Sequence, residues 1–181
     1  MTIENSVTKI PENTSILQTT KYTFLIPDLP FARYFCQTVT LPGISTSAVT
    51  VPTPFSDTFR HGDKLVFDNF SINAIVDEDL RVYEETYNWI ISMTFPEKFS
   101  QYKNRKNSNP LINDKSRTGI YFDGILTINT NSNNPNLRIK FFNCHPISLG
   151  GVQFSTTENA TVIPTADITF KYDRFEIERL R

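Results

Sequence analysis

Phe70-Ser71-Ile72-Asn73-Ala74-Ile75-Val76, followed by Asp77-Glu78-Asp79-Leu80 and a run to Met93, is the stretch where the hydrophobic period changes. In the first part Phe70, Ile72 and Ala74 alternate with Ser71, Asn73 and Ile75, the two-residue repeat of a strand with one face in a core. Beyond it Leu80, Tyr83, Tyr87, Ile90 and Ile91 recur at helical spacing, with Val82, Trp89 and Met93 as a second apolar strip. The pattern predicts one well-buried amphipathic helix over about 78–93. Asp77, Glu78 and Asp79 open it, because carboxylates cap free N–H groups and complement the positive end of the helix dipole. A strand running directly into a single helix sets the expectation of a mainly β protein with one flanking helix.

Strand signals dominate on both sides. Tyr22-Thr23-Phe24-Leu25-Ile26 is a first strand, closed by Pro27 and Pro30; residues 34–41 form a second, broken by Pro42-Gly43. Residues 44–62 are β-prone but punctuated by Pro52, Pro54 and Gly62. Proline donates nothing to a ladder, so this segment reads as an extended arm or ragged hairpin and not as a central strand. Residues 64–68 precede the quoted strand. Residues 96–118 form a long polar, basic loop with Lys98, Lys103, Arg105, Lys106, Lys115 and Arg117. After it come a strand over 120–130, a turn over 131–136, a returning strand over 137–143, a connection over 146–151, a short strand over 152–155 and a closing strand over 166–177. The expected fold is an α+β, mainly β domain over 20–181: an antiparallel β-barrel or rolled β-sandwich of six to nine strands, one flanking helix, an arm over 43–62 and an N-terminal extension over 1–19.

Composition agrees. The chain has 181 residues, enough for one core without metals or disulfide staples, with 15 Phe and 7 Tyr and little alanine. Its formal net charge of −1 builds no strong field, which argues against a sequence-independent grip on nucleic acid and leaves little resistance to self-association. Cys36 and Cys144 fit no metal-ligand spacing and read as free core thiols in a reducing compartment. No signal peptide is expected, since residues 1–13 lack a basic stretch followed by an apolar run, and no window approaches the ~18 apolar residues of a membrane span.

Catalytic chemistry finds little support. Cys144-His145 has the composition of a nucleophile and base, but adjacent strand residues point to opposite faces, and a working pair must lie within hydrogen-bond reach. The acidic trio 77–79 is explained by helix capping. There is no phosphate-binding loop, dinucleotide fingerprint or HExxH. No catalytic residue, metal or cofactor is therefore expected. Phe99 and Tyr102 beside Lys98 and Lys103 have the makings of a single-strand platform, but a solvated or subunit-contacting loop fits the neutral remainder better.

The order of these features resembles a known family. Thr40-Leu41-Pro42-Gly43, the β-prone arm, Leu65 to Val76, Asp77-Glu78-Asp79-Leu80 with Tyr87-Asn88-Trp89-Ile90, Phe141-Phe142-Asn143-Cys144-His145-Pro146-Ile147-Ser148, and the closing Ala166-Asp167-Ile168-Thr169-Phe170-Lys171-Tyr172-Asp173 follow each other as in the tail tube proteins of T4-like contractile phages, including their baseplate tube initiators. That resemblance, over roughly 20–177, implies a structural virion protein whose copies join sheets into a hexameric ring. The rings stack into a tube that conducts DNA without binding it, in contact with sheath, baseplate or terminator and tape-measure proteins. It implies assembly in the host cytoplasm and a place in the virion tail. It makes Leu41, Pro42, Val49, Val51, Pro52, Pro54, Phe55 and Phe59 the candidate subunit-interface residues, and Lys103, Arg105, Lys106, Lys115 and Arg117 candidate loop contacts. A tube-initiating or tube-terminal ring of the same fold is the alternative within the family. A small-ligand carrier built on a closed β-barrel is the alternative from another class.

Overall fold

A computed structural model describes residues 14–101, 120–157 and 162–180. Most of the predicted strands are present. In chain order they are β1 (Tyr22–Leu25), β2 (Cys36–Val39), β3 (Ile44–Pro52), β4 (Asp57–Phe67), β5 (Phe70–Ile75), β6 (Phe122–Asn129), β7 (Pro135–Leu149), β8 (Thr165–Lys171) and β9 (Arg174–Arg179). Among the described residues they are accompanied by the helices α1 (Ala32–Phe35) and α2 (Arg81–Thr94).

The sheet does not close into a barrel. Its path runs β1-β6-β7-β8-β5-β2, all antiparallel, with β9 also on β7. β7 makes the architecture: residues 135–144 pair with β6, and the strand then continues to Leu149 along β8. β8 and β9 are successive stretches of one bent partner, since His145 lies opposite Lys171 and Phe142 opposite Arg174 in unbroken register. The bend falls at Tyr172-Asp173, where Asp173 N–H still donates to the Phe142 carbonyl at 3.0 Å. Folding about this shared pair lays β1 and β6 over β5 and gives a rolled sandwich, with β1 and β2 at the two ends of the path and β9 paired on one side.

Aromatic rings fill the space between the layers. Phe70 of β5 is fully buried and stacks on Phe141 (4.7 Å between centroids) and Phe170 (5.0 Å), with Phe24 of β1 edge-on at 6.0 Å. Offset and T-shaped contacts of this kind add to the area each ring hides. These rings occupy the space that a ligand-carrying barrel would leave open.

Several expectations are corrected. The first residues of the expected second strand belong to α1, which packs Ala32 into the core. The expected strand over 152–155 is absent, and 146–149, expected as a connection, is part of β7. The helix starts at Arg81, later than expected. Asp77 caps it from outside, its carboxylate accepting from the Arg81 N–H at 2.9 Å. Its buried face is Val82, Thr86, Trp89 and Ser92, while Tyr87 and Leu80 are exposed. Thr86 and Ser92 hide their hydroxyls by donating to the carbonyls of Val82 and Trp89, so these small residues let the helix sit close. Trp89 then reaches between the layers, 5.4 Å from Phe122 and 6.1 Å from Phe170, and its indole N–H donates to the Ile120 carbonyl at 2.8 Å.

Candidate assembly interface

The residues carried forward as an arm form a two-stranded sheet of their own. β3 and β4 pair from Ile44↔Phe67 to Pro52↔Asp57, and neither joins the main sheet. The turn at the far end is local chemistry. Thr53 N–H donates to the Ser56 carbonyl at 3.2 Å, and the Thr53 hydroxyl accepts from Ser56 N–H at 3.2 Å. Pro54 and Phe55 occupy the middle, where proline fits a turn by its fixed φ. At the near end Asp68 N–H donates to the Gly43 carbonyl at 3.1 Å, so the ribbon leaves the body just after Pro42-Gly43. At ~3.3 Å per residue, nine residues of β3 place the tip roughly 30 Å from that base.

The ribbon is bent once. Thr46 pairs with Leu65 but Ala48 with His61, so β4 carries extra residues opposite Ser47. Gly62 sits in this bulge, and a Cβ there would stand 2.6 Å from the Ser47 carbonyl oxygen. Only glycine permits that approach.

Almost nothing in the ribbon is covered. Phe55 at the tip is 99% exposed, Phe59 72% and Val49 53%; Leu65, Val66 and Ile44 are also exposed. Pro52 and Pro54 are exposed, and Val51 is half-buried. Of the two candidates before the arm, Leu41 is exposed, but Pro42 is buried within its own chain and offers nothing to a neighbour. A lone hairpin is marginal in water, and one that shows large apolar groups on both faces is a surface without its partner. The other candidates, Lys103, Arg105, Lys106, Lys115 and Arg117, lie outside the described residues, as does most of the N-terminal extension.

The groups weighed for catalysis are not brought together. Burial pushes the Cys144 thiol up to about 12, and its sulfur faces the Phe141 carbonyl at 3.6 Å. The His145 ring stands edge-on to Tyr121 at 5.2 Å instead. Asp79 pairs with Arg81 at 2.8 Å on the surface. Among the described residues no three of His, Cys, Asp and Glu are grouped to hold a metal ion.

A second open feature escaped the sequence. β1 and β2, at the two ends of the sheet path, face each other across a cleft of about 730 Å³ lined by Thr20, Tyr22, Arg33, Gln37 and Thr38 among others. One bond crosses it, from the Tyr22 hydroxyl to the Gln37 carbonyl at 2.7 Å. Gln37 is the residue skipped where β2 shifts register against β5, which frees its carbonyl for that bond. Burial also raises the thiol of Cys36, beside the cleft, to about 11.

Comparison with known proteins places this architecture. The family model described as phage tail tube protein matches residues 9–178. The tail tube terminator protein of Enterobacteria phage T4 is 25% identical over 167 residues, covering 89% of this chain and 88% of that one. Among solved structures, the tube terminating cap of the anti-feeding prophage superposes with a TM-score of 0.58 at 14% identity, covering 98% of this chain and 99% of the cap chain. A chain of the sheath-tube complex of the extracellular contractile injection system PVC also gives 0.58 at 14% identity, covering 92% and 94%.

Proposed function

The chain belongs to the phage tail tube protein family, and from that premise we propose that it forms the terminal ring of a contractile tail tube. The exposed β3–β4 ribbon carries the ring-forming part of this reading. It displays Val49, Phe55 and Phe59 to solvent on an unsupported hairpin, and it gains stability by lying against a neighbouring subunit. Leu41, Val51, Pro52 and Pro54 extend the same contact surface. The position at the tube's end is supported by the likeness to the T4 terminator over nearly the full length of both chains.

In this role the protein is structural and catalyses nothing. Its copies are made in the host cytoplasm, close a hexameric ring on the last ring of the tube, and leave a lumen through which DNA passes without a specific grip. The outward polar groups of β5 and β8 include Ser71, Asn73, Thr165, Asp167 and Thr169, and Asn73 donates to the Asp167 carboxylate at 2.7 Å. A face of hydroxyls and amides with few cations gives phosphates little to hold.

Copy number tests the assignment. Quantitative mass spectrometry of purified tails, with cryo-electron microscopy of the tube end, is expected to find one ring of this chain per tail. Tails made without it are expected to carry tubes of unregulated or unstable length. One ring per tube repeat, or the complete loss of tubes, would make it the repeating subunit instead.

A further inference from the structure

Two features of the fold are each incomplete and lie on different surfaces. One is the ribbon tip, which has no cover. The other is the cleft between β1 and β2, whose facing strand edges have no ladder partner among the described residues. We propose that the cleft receives the ribbon tip of a second copy of this chain, with Phe55 in the cleft and Asp57 against Arg33. The proposal rests on the ring reading above and names where one subunit holds the next.

Charge supports the match. From Thr50 to Phe59 the tip carries one charged residue, Asp57. The residues lining the cleft carry one as well, Arg33, on the exposed face of α1. Neither makes an ion pair among the described residues. The rest of the lining is hydroxyl, amide, aromatic, the Cys36 thiol and Val39, and the rest of the tip is threonine, serine, proline, valine and phenylalanine, so no other charge would be desolvated. Free strand edges add main-chain donors and acceptors for an extended segment.

The chain's own tip does not occupy the cleft. Phe55 is 99% exposed, and no residue of the ribbon is among those lining the cleft. Tip and cleft are therefore different patches of one surface, and contact between them is head-to-tail. Such contacts propagate, and they close into a ring when the rotation per subunit allows.

Disulfide capture tests this in the full-length protein. With Cys36→Ser as background, Thr38→Cys places a thiol in the cleft and Ser56→Cys places one beside Phe55. Under mild oxidation the double-cysteine variant is expected to give a reducible ladder of covalent oligomers up to the ring, while either single cysteine stops at dimers. Rings without a ladder, or a bond closed within one monomer, would overturn the cleft assignment and leave the ring reading standing. A wild-type chain that stays monomeric at high concentration would overturn both. The charge pair gives an independent readout. Arg33→Asp or Asp57→Arg alone is expected to weaken assembly at least tenfold with thermal melting unchanged. The combination Arg33→Asp with Asp57→Arg is expected to restore assembly to within a few-fold of wild type. Single variants that assemble normally, or a combination no better than the worse single variant, would refute the pairing. Peptide mapping that finds residues 1–13 or another tail protein joined to Thr38→Cys would refute the occupant.

Discussion

Phe55→Ala removes a ring that is 99% exposed in the single chain, at the tip of a hairpin that no other strand among the described residues supports. Its loss changes no contact in the core, and surface substitutions of that kind stay within about ±0.5 kcal/mol in folding free energy. In a ring the same side chain goes from water into a neighbour, and burying a phenylalanine is worth about 1.5–3 kcal/mol. At about 1.4 kcal/mol per factor of ten, each subunit contact weakens roughly ten- to 150-fold. Sedimentation across a concentration series reads the assembly midpoint, and urea unfolding of the monomeric fraction reads the fold. An unchanged assembly midpoint would leave Phe55 in water in the ring, and a monomer destabilised by more than about 1 kcal/mol would place it inside its own chain's structure; either result would refute the reasoning.

Phe70→Ala is the opposite case: a fully buried ring in contact with Phe24, Phe141 and Phe170, whose truncation is expected to cost about 3–5 kcal/mol in urea unfolding. A cost below about 1 kcal/mol would deny Phe70 its central place. Gly62→Ala pushes a methyl toward the Ser47 carbonyl, so the ribbon is expected to lose its bend and assembly to fail while the melting of the body stays the same; normal rings would show that the bulge is dispensable. Glu85 is half-buried with one oxygen unpartnered, and burial with repulsion from Asp28, Asp77 and Glu84 raises it to about 7. Its proton is held longer in the folded state than in the unfolded one, so stability is full below about pH 4.5 and declines as pH rises through about 7. Glu85→Gln is expected to flatten that decline and to raise stability at pH 8 by on the order of 1 kcal/mol after solvent screening; an unchanged pH slope in denaturant midpoints would contradict it.

Period-two alternation made the strands around Phe70, Phe122 and Ile168 legible because each buries one face and wets the other. The β-prone arm was legible for a different reason: Pro52, Pro54 and Gly62 forbid a central strand while Val49, Val51 and Phe59 favour an extended one. The buried face of α2 was half legible: Val82 and Trp89 stood in the second apolar strip, but Thr86 and Ser92 did not. Its residues Thr86 and Ser92 are polar by type and become core residues only by bonding to their own helix carbonyls, whereas Tyr87 and Leu80 are apolar in pattern and exposed in fact. The span of β7 was hidden by Pro146, which reads as a terminator but sits buried opposite Phe170, beside a register shift. The cleft has no local signature at all, since Tyr22 and Gln37 meet only when the sandwich rolls.

The long β7 strand has a mechanical consequence. Its first part belongs to the layer of β1 and β6 and its last part to the layer of β5 and β2, and the β8–β9 pair follows it through both. A load that tries to slide one layer over the other pulls along this backbone. It is resisted by many ladder bonds strained together. The subunit therefore yields last along its spine and first at its ribbon.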